Sequence, residues 1–203
     1  MLRNTRARWG ALSQLLHWLV AALIAVQVAL GLVGVALPLS MAKLATLARH
    51  KSLGITILAL VLIRLLWRLS QPAPALPANL KPYERRLARL THASLYGLLI
   101  ALPLTGWIMS SARGFPVSWF NLVQLPNLVT RSVPLYHAMV RVHIALAVAL
   151  GVILALHVAA AIKHHFVLKD DTLRRMLPGT ASARAEVPRP SRSDRCPLPA
   201  LLA

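Results

Sequence analysis

Apolar residues fall in four long runs along the chain, separated by short polar or proline-rich stretches. The runs cover about Leu12 to Leu37, His50 to Leu69, His92 to Ala112 and Ala138 to Ile162. A helix needs about 20 apolar residues to cross a bilayer, and each run supplies them. Arg64 interrupts the second run, and Pro103 sits inside the third as an expected kink that neighbouring helices can accommodate. The stretch from Leu19 to Leu39, broken by Gln27 and by glycines, follows Arg3, Arg6 and Arg8. It exceeds the apolar core of a secretory signal, so it is expected to stay as the first span. A Pro-rich loop joins Gln71 to Pro82, and a longer one runs from Arg113 to Tyr136. That second loop carries Phe115, Trp119 and Phe120 among prolines, a composition expected along the membrane interface.

Composition turns four apolar runs into a membrane protein. Of 203 residues, 57% are apolar and only 14% charged. A soluble domain of this size cannot bury so much apolar surface. The net charge of +18 would suit nucleic acid. The basic residues, however, flank the apolar runs and form no patch with interleaved aromatics, so no nucleic-acid partner is expected. Four spans put both ends of the chain on one side. That side holds Arg3, Arg6, Arg8, Arg64, Arg68, Lys81, Arg85, Arg86, Arg89, Lys163, Lys169, Arg174 and Arg175. The other side holds Lys43, Arg49, Lys51, Arg113, Arg131 and Arg141. An excess of 13 over 6 places the termini in the cytoplasm. Glu84, Asp170, Asp171, Glu186 and Asp194 also fall on that side, leaving the outer face basic with no acidic counterpart. The fold expected is all-α: an integral membrane four-helix bundle over residues 1–178, both termini cytoplasmic, with a basic, Pro-rich disordered tail over 179–203. Cys196, the one cysteine, lies in that tail and offers no disulfide, no zinc spacing and no C-x-x-C-H for covalent haem.

Ionisable groups inside spans are costly and point to function. No carboxylate lies in any span, which argues against a carboxylate-based proton pump. The intramembrane groups are histidines and Arg64. Two neutral imidazoles facing each other can complete the coordination of a haem iron. Helices 1 and 3 run outward, helices 2 and 4 inward. His17 near the start of helix 1 and His157 near the end of helix 4 then lie at one depth, by the cytoplasmic face. His50, opening helix 2, and His143, early in helix 4, lie at another, by the outer face. His143 and His157 are fourteen residues apart, almost four turns, so they share one face about 21 Å apart along the axis. This predicts two non-covalent bis-histidine haems, with His17, His157, His50 and His143 as iron ligands. His50 and Arg64 repeat the spacing of fourteen, which turns Arg64 toward the cytoplasmic haem, where it could pair with a propionate or else snorkel to the interface. Gly54 and Gly151 remove bulk where a porphyrin edge or a helix could approach. His92 and His164 suit a proton-accepting group beside a quinone. His137 lies on another face from His143 and reads as interfacial.

Several stretches carry a family resemblance. They are Ser13 to Leu19 around His17-Trp18, His50-Lys-Ser-Leu-Gly54 with Arg64-Leu-Leu-Trp-Arg68, and Ile100-Ala-Leu-Pro103-Leu-Thr-Gly106. Leu156-His157 through His164-His165 into Lys169-Asp-Asp-Thr-Leu-Arg-Arg-Met176 completes the set. From about residue 9 to Pro178 the chain resembles the bacterial cytochrome b561 family. The resemblance implies a di-haem b-type electron-transfer protein of the bacterial inner membrane, with His17 paired to His157 and His50 to His143. It implies transmembrane electron transfer to or from ubiquinone, in the best-understood type by oxidising periplasmic superoxide. His92, His164 and His165 match family positions and are the quinone candidates. His137 does not match, and the loop from Arg113 to Pro134 differs. Lys51 and Arg141, beside the outer ligands, are candidates for an outer anion site that would draw superoxide or take its electron from another periplasmic donor. No catalytic residue is expected beyond the haems, because the cofactor carries the redox step. The alternative is a cytochrome b subunit that relays electrons between a partner dehydrogenase or hydrogenase and quinone. A haem-free transporter fits four paired histidines poorly.

Overall fold

Four helices arise where the apolar runs predict them, but each is longer than its run. The computed structural model describes residues 2–5, 8–74 and 81–178; the tail over 179–203, expected to be disordered, lies outside the described residues. Helix α1 spans Ala11–Ala36, α2 Met41–Ser70, α3 Pro82–Ala112 and α4 Val133–Phe166. At about 1.5 Å per residue these run roughly 39 to 51 Å, beyond the roughly 30 Å of bilayer hydrocarbon. The extra turns are the polar ends. His50 therefore lies well inside α2 and does not open it, and His92 lies well inside α3.

Local chemistry sets the helix starts. Ser40 caps α2 by accepting from Lys43 N, and Ser132 caps α4 by accepting from Leu135 N. Pro82 opens α3, with Glu84 reaching back to Lys81 N at 3.1 Å. Helix α1 has no cap of its own. Asn4 Oδ1 takes that role from outside, accepting from Gly10 N at 2.9 Å and Ser13 Oγ at 2.7 Å. Helix α3 continues through Pro103.

The chain forms a helical membrane bundle in which α1 packs on α2, α2 on α3 and α3 on α4. The segment after α4 ties the ends of the row together. Trp18 Nε1 donates to the Met176 carbonyl at 2.8 Å, and Gln14 Nε2 to those of Arg175 and Leu177 at 3.0 and 3.3 Å. Mid-bundle, Val20, Ile24, Ile57 and Val61 form a buried cluster with Leu53, Tyr96, Leu99 and Leu154 packed around it. Most other large apolar side chains face outward, Leu66 at 68% and Leu156 at 63% exposure among them. In water such a surface would drive aggregation; in a bilayer, lipid covers it.

Between α3 and α4 a two-stranded hairpin, β1 (Ser118–Trp119) and β2 (Val123–Gln124), folds back onto α2. Ser52 Oγ donates to Ser118 O and accepts from Phe120 N, both at 3.0 Å, while Trp119 Nε1 donates to Thr56 Oγ1 at 3.0 Å. Phe120 and Asn121 adopt left-handed backbone, φ +48 and +60, which is unfavourable for a bulky residue. The bond to Ser52 helps hold the turn there. The loop expected to lie along the interface is thus pinned to a helix, because its backbone polar groups find partners on α2.

Candidate cofactor sites

The histidines gather at two levels, one near the terminal end, where α1 begins and α4 finishes, and one near the far end. At the terminal level the His17 and His157 ring centroids are 6.3 Å apart with planes at 71°. At the far level His50 and His143 are 6.4 Å apart at 70°. Two imidazoles bound to opposite sides of one metal, at about 2 Å each, hold their centroids about 6.3 Å apart. A direct N–H···N hydrogen bond of about 2.9 Å would draw them to about 5.2 Å. Both pairs therefore have the span of a metal-bridged pair and exceed that of a bonded one. His92 differs: its ring lies 5.3 Å from that of His157, an edge contact with no room for a metal between.

The far pair also has its tautomers set. His50 Nδ1 donates to the Gln27 carbonyl at 3.1 Å. Thr105 Oγ1 donates to the Leu102 carbonyl at 2.9 Å, so it accepts from His143 Nδ1 at 3.0 Å. Each ring has its proton on Nδ1 and its lone pair on Nε2, the arrangement that a metal-ligating histidine needs. Glycines leave room for both rings. A Cβ on Gly31 would stand 3.1 Å from His50 Cε1, and one on Gly106 3.4 Å from His143 Cε1. These donors fit haem iron. Of the glycines the sequence singles out, Gly54 faces the Gln27 amide, at 3.1 Å from a Cβ, and Gly151 faces open space.

The terminal pair is held differently. Among the described residues neither His17 nor His157 has a ring hydrogen bond, but Arg64 lies close enough for both rings to feel its charge. Its guanidinium is fixed, Nε donating to Tyr96 Oη and Nη1 to the Ser13 carbonyl, both at 3.1 Å. Ser13 is fixed in turn by Trp67 Nε1 at 3.0 Å. Arg64 is half-buried, and its guanidinium joins α2 to the first turn of α1 and to Tyr96 on α3.

The remaining candidates scatter around these levels. His164 Nδ1 contacts Asp170 Oδ2 at 2.5 Å. His165 Nδ1 is buried without a partner among the described residues. Its ring lines a cavity of about 250 Å³ with Phe166, Lys169, Asp170 and Arg174. Burial alone would raise the Asp170 pKa, but hydrogen bonds from Thr172 and His164 outweigh it and hold the carboxyl below its usual range. At the far end Lys51 Nζ donates to Ser110 Oγ at 3.3 Å, and Arg141 is exposed. His137 is exposed against Tyr136. Sequence reasoning passed over Gln27 as a site residue, and over Thr105, Gly31, Gly106 and Asp170. Gln27 gave a signal as an amide deep inside an apolar run, and Thr105, Gly106 and Asp170 fall within the stretches that carry the family resemblance.

Comparison with known proteins places the chain in a family. The model of the prokaryotic cytochrome b561 family matches residues 8–179. Cytochrome b561 homolog 2 of Escherichia coli K12 is 36% identical over 182 residues, 88% of this chain and 96% of that protein. A probable superoxide oxidase, CybB of Yersinia pestis, is 36% identical over 129 residues, 64% of this chain and 73% of that protein. Cytochrome b561 homolog 1 of Escherichia coli K12 is 29% identical over the same shares. A family match across nearly the whole described chain, joined to four membrane-length helices, makes this chain a member of the prokaryotic cytochrome b561 family, b-type haem proteins of membrane electron transfer.

Proposed function

We propose that residues 1–178 form a di-haem unit of the bacterial inner membrane that oxidises periplasmic superoxide and reduces ubiquinone. The observation that carries this reading is the metal-bridging span of two histidine pairs, 6.3 and 6.4 Å, at opposite ends of the bundle. His17 with His157, and His50 with His143, would each hold one haem b iron. Haem bound there supplies a one-electron carrier. The reaction balances when two superoxide anions each lose one electron to become dioxygen, while ubiquinone gains two electrons and two protons to become ubiquinol.

The chain's own residues divide the remaining work. With the terminal end in the cytoplasm, by the excess of basic residues there, the far end faces the periplasm. Lys51 and Arg141 on that face would draw an anion and raise its encounter rate. Arg64, inward and fixed by Tyr96 and Ser13, would pair with a propionate of the cytoplasmic haem. His92, His164 and His165 are the groups at the cytoplasmic end able to hold or deliver protons to a quinone. The superoxide reading is further supported by the name of the Yersinia relative.

Two measurements test this. A redox difference spectrum with haem counted per chain should give two. His17→Ala or His157→Ala should remove one haem, and His50→Ala or His143→Ala the other; retention of both in any of the four would overturn the ligand assignment. Mixing the oxidised protein with a superoxide generator and ubiquinone should reduce the haem faster than an albumin control permits. An equal rate would sink the superoxide step and leave the relay from a partner dehydrogenase or hydrogenase.

A further inference from the structure

Deep in the apolar run of α1 the half-buried amide side chain of Gln27 meets the far site. Gln27 Nε2 donates to the His50 carbonyl at 3.0 Å and lies 3.3 Å from His50 Nε2, while the Gln27 carbonyl accepts from His50 Nδ1. The His50 carbonyl fixes which way the amide points, since the opposite orientation would set oxygen against oxygen. Gln27 Oε1 is then left buried without a partner among the described residues. Such a group costs stability in an apolar interior. Gly54 on α2 leaves the space that the amide fills, and Gly31, one turn after Gln27, leaves the space for the ring. Backbone, amide and two glycines together make a slot for His50. Among the described residues the terminal site has no matching amide; its polar neighbours include Arg64 and His92.

We infer that Gln27 is a positioning residue for the far cofactor site, acting through His50 and setting that site's reduction equilibrium apart from the other. This rests on the proposed haem ligation by His50 and His143. Two effects combine. The clasp fixes the ring's tautomer and orientation, as outer-shell partners of ligating histidines do. The amide N–H also brings the positive end of a dipole beside the ligand nitrogen, which favours the state holding the extra electron.

Redox titration of the purified full chain, followed through haem absorbance, reads both haems at once. Gln27→Leu is expected to keep two haems per chain. It should lower the reduction equilibrium of the haem that His50→Ala loses by about three- to tenfold, up to about 59 mV for one electron. The other haem should not move. Gln27→Asn, with the amide on a shorter stem, should fall between wild type and Gln27→Leu. Gln27→Glu should lower the same haem further than Gln27→Leu does. Titration of Gln27→Leu as wild type, or an equal shift of both haems, overturns the inference. If Gln27→Leu fails to assemble, the Asn and Glu variants decide by the same criterion. A wild-type chain with fewer than two haems would remove the underlying reading instead, whatever Gln27 does.

Discussion

Thr105 uses its hydroxyl in two directions, donating to Leu102 and accepting from His143. Because the donated proton is committed to a carbonyl one turn back, the hydroxyl can only accept from the ring. Thr105→Val keeps the shape and removes this acceptor, weakening the hold on the His143 ring. The expected outcome is a loss of about 10- to 100-fold in haem affinity at that site, the usual cost of removing such a partner. Haem retained per chain against a haem scavenger measures it, and Thr105→Ser should restore retention. At this scale the sequence disclosed part of the site. The common face of His143 and His157 follows from their spacing of fourteen and the helical period alone. The roles of Thr105, Gly31 and Gly106 do not, because each depends on which side chain faces it across a helix interface. Gln27 lies between: its polarity in an apolar run was legible, its partner was not.

Among the elements, α4 does most to join the two levels, since it supplies a histidine to each and then turns back under the bundle. Its last turn is anchored by His164 and Asp170, and the following segment by Trp18 and Gln14. The depressed Asp170 pKa gives this anchor a pH sense. A carboxyl whose folded pKa lies below its unfolded value stabilises the fold above the unfolded value and stops doing so as pH falls through the folded one. The segment from 170 to 177 should therefore keep its amide protection above about pH 4 and lose it below. Asp170→Asn should show the weakened protection already at neutral pH, measured by hydrogen exchange. Helix count was readable from apolar runs, whereas helix ends were not. Residues 41 to 49 and 82 to 91 mix charged with apolar positions, so hydropathy stops where the hydrocarbon stops while the backbone continues as helix. The hairpin was hidden for another reason: Ser52 and Thr56 on α2 decide where it lies.

The whole molecule presents different chemistry at its two ends. In the proposed orientation the periplasmic end carries basic residues and, among the described residues, no acid, and attraction of an anion to such a face weakens as salt screens it. The rate of haem reduction by superoxide should fall steeply as ionic strength rises from about 0.01 to 0.15 M, and Arg141→Gln should flatten that dependence. A rate indifferent to salt would remove the outer face from the mechanism. The terminal end instead has titratable groups in a cavity, suited to exchanging protons.

Between those ends the buried layer of Val20, Ile24, Ile57 and Val61 acts as a dielectric. It contains no water-binding side chain, so the membrane voltage drops across it much as it drops across the surrounding lipid. Moving one elementary charge through the full field takes about 2.3 kcal/mol per 100 mV. In the proposed orientation, with the cytoplasm negative, an electron passing from the far pair to the terminal one would move against that field. On the proposed function, the same four apolar side chains that separate the histidine pairs would make this protein sensitive to the energised state of its membrane: turnover would slow when the voltage is high and be released when it collapses.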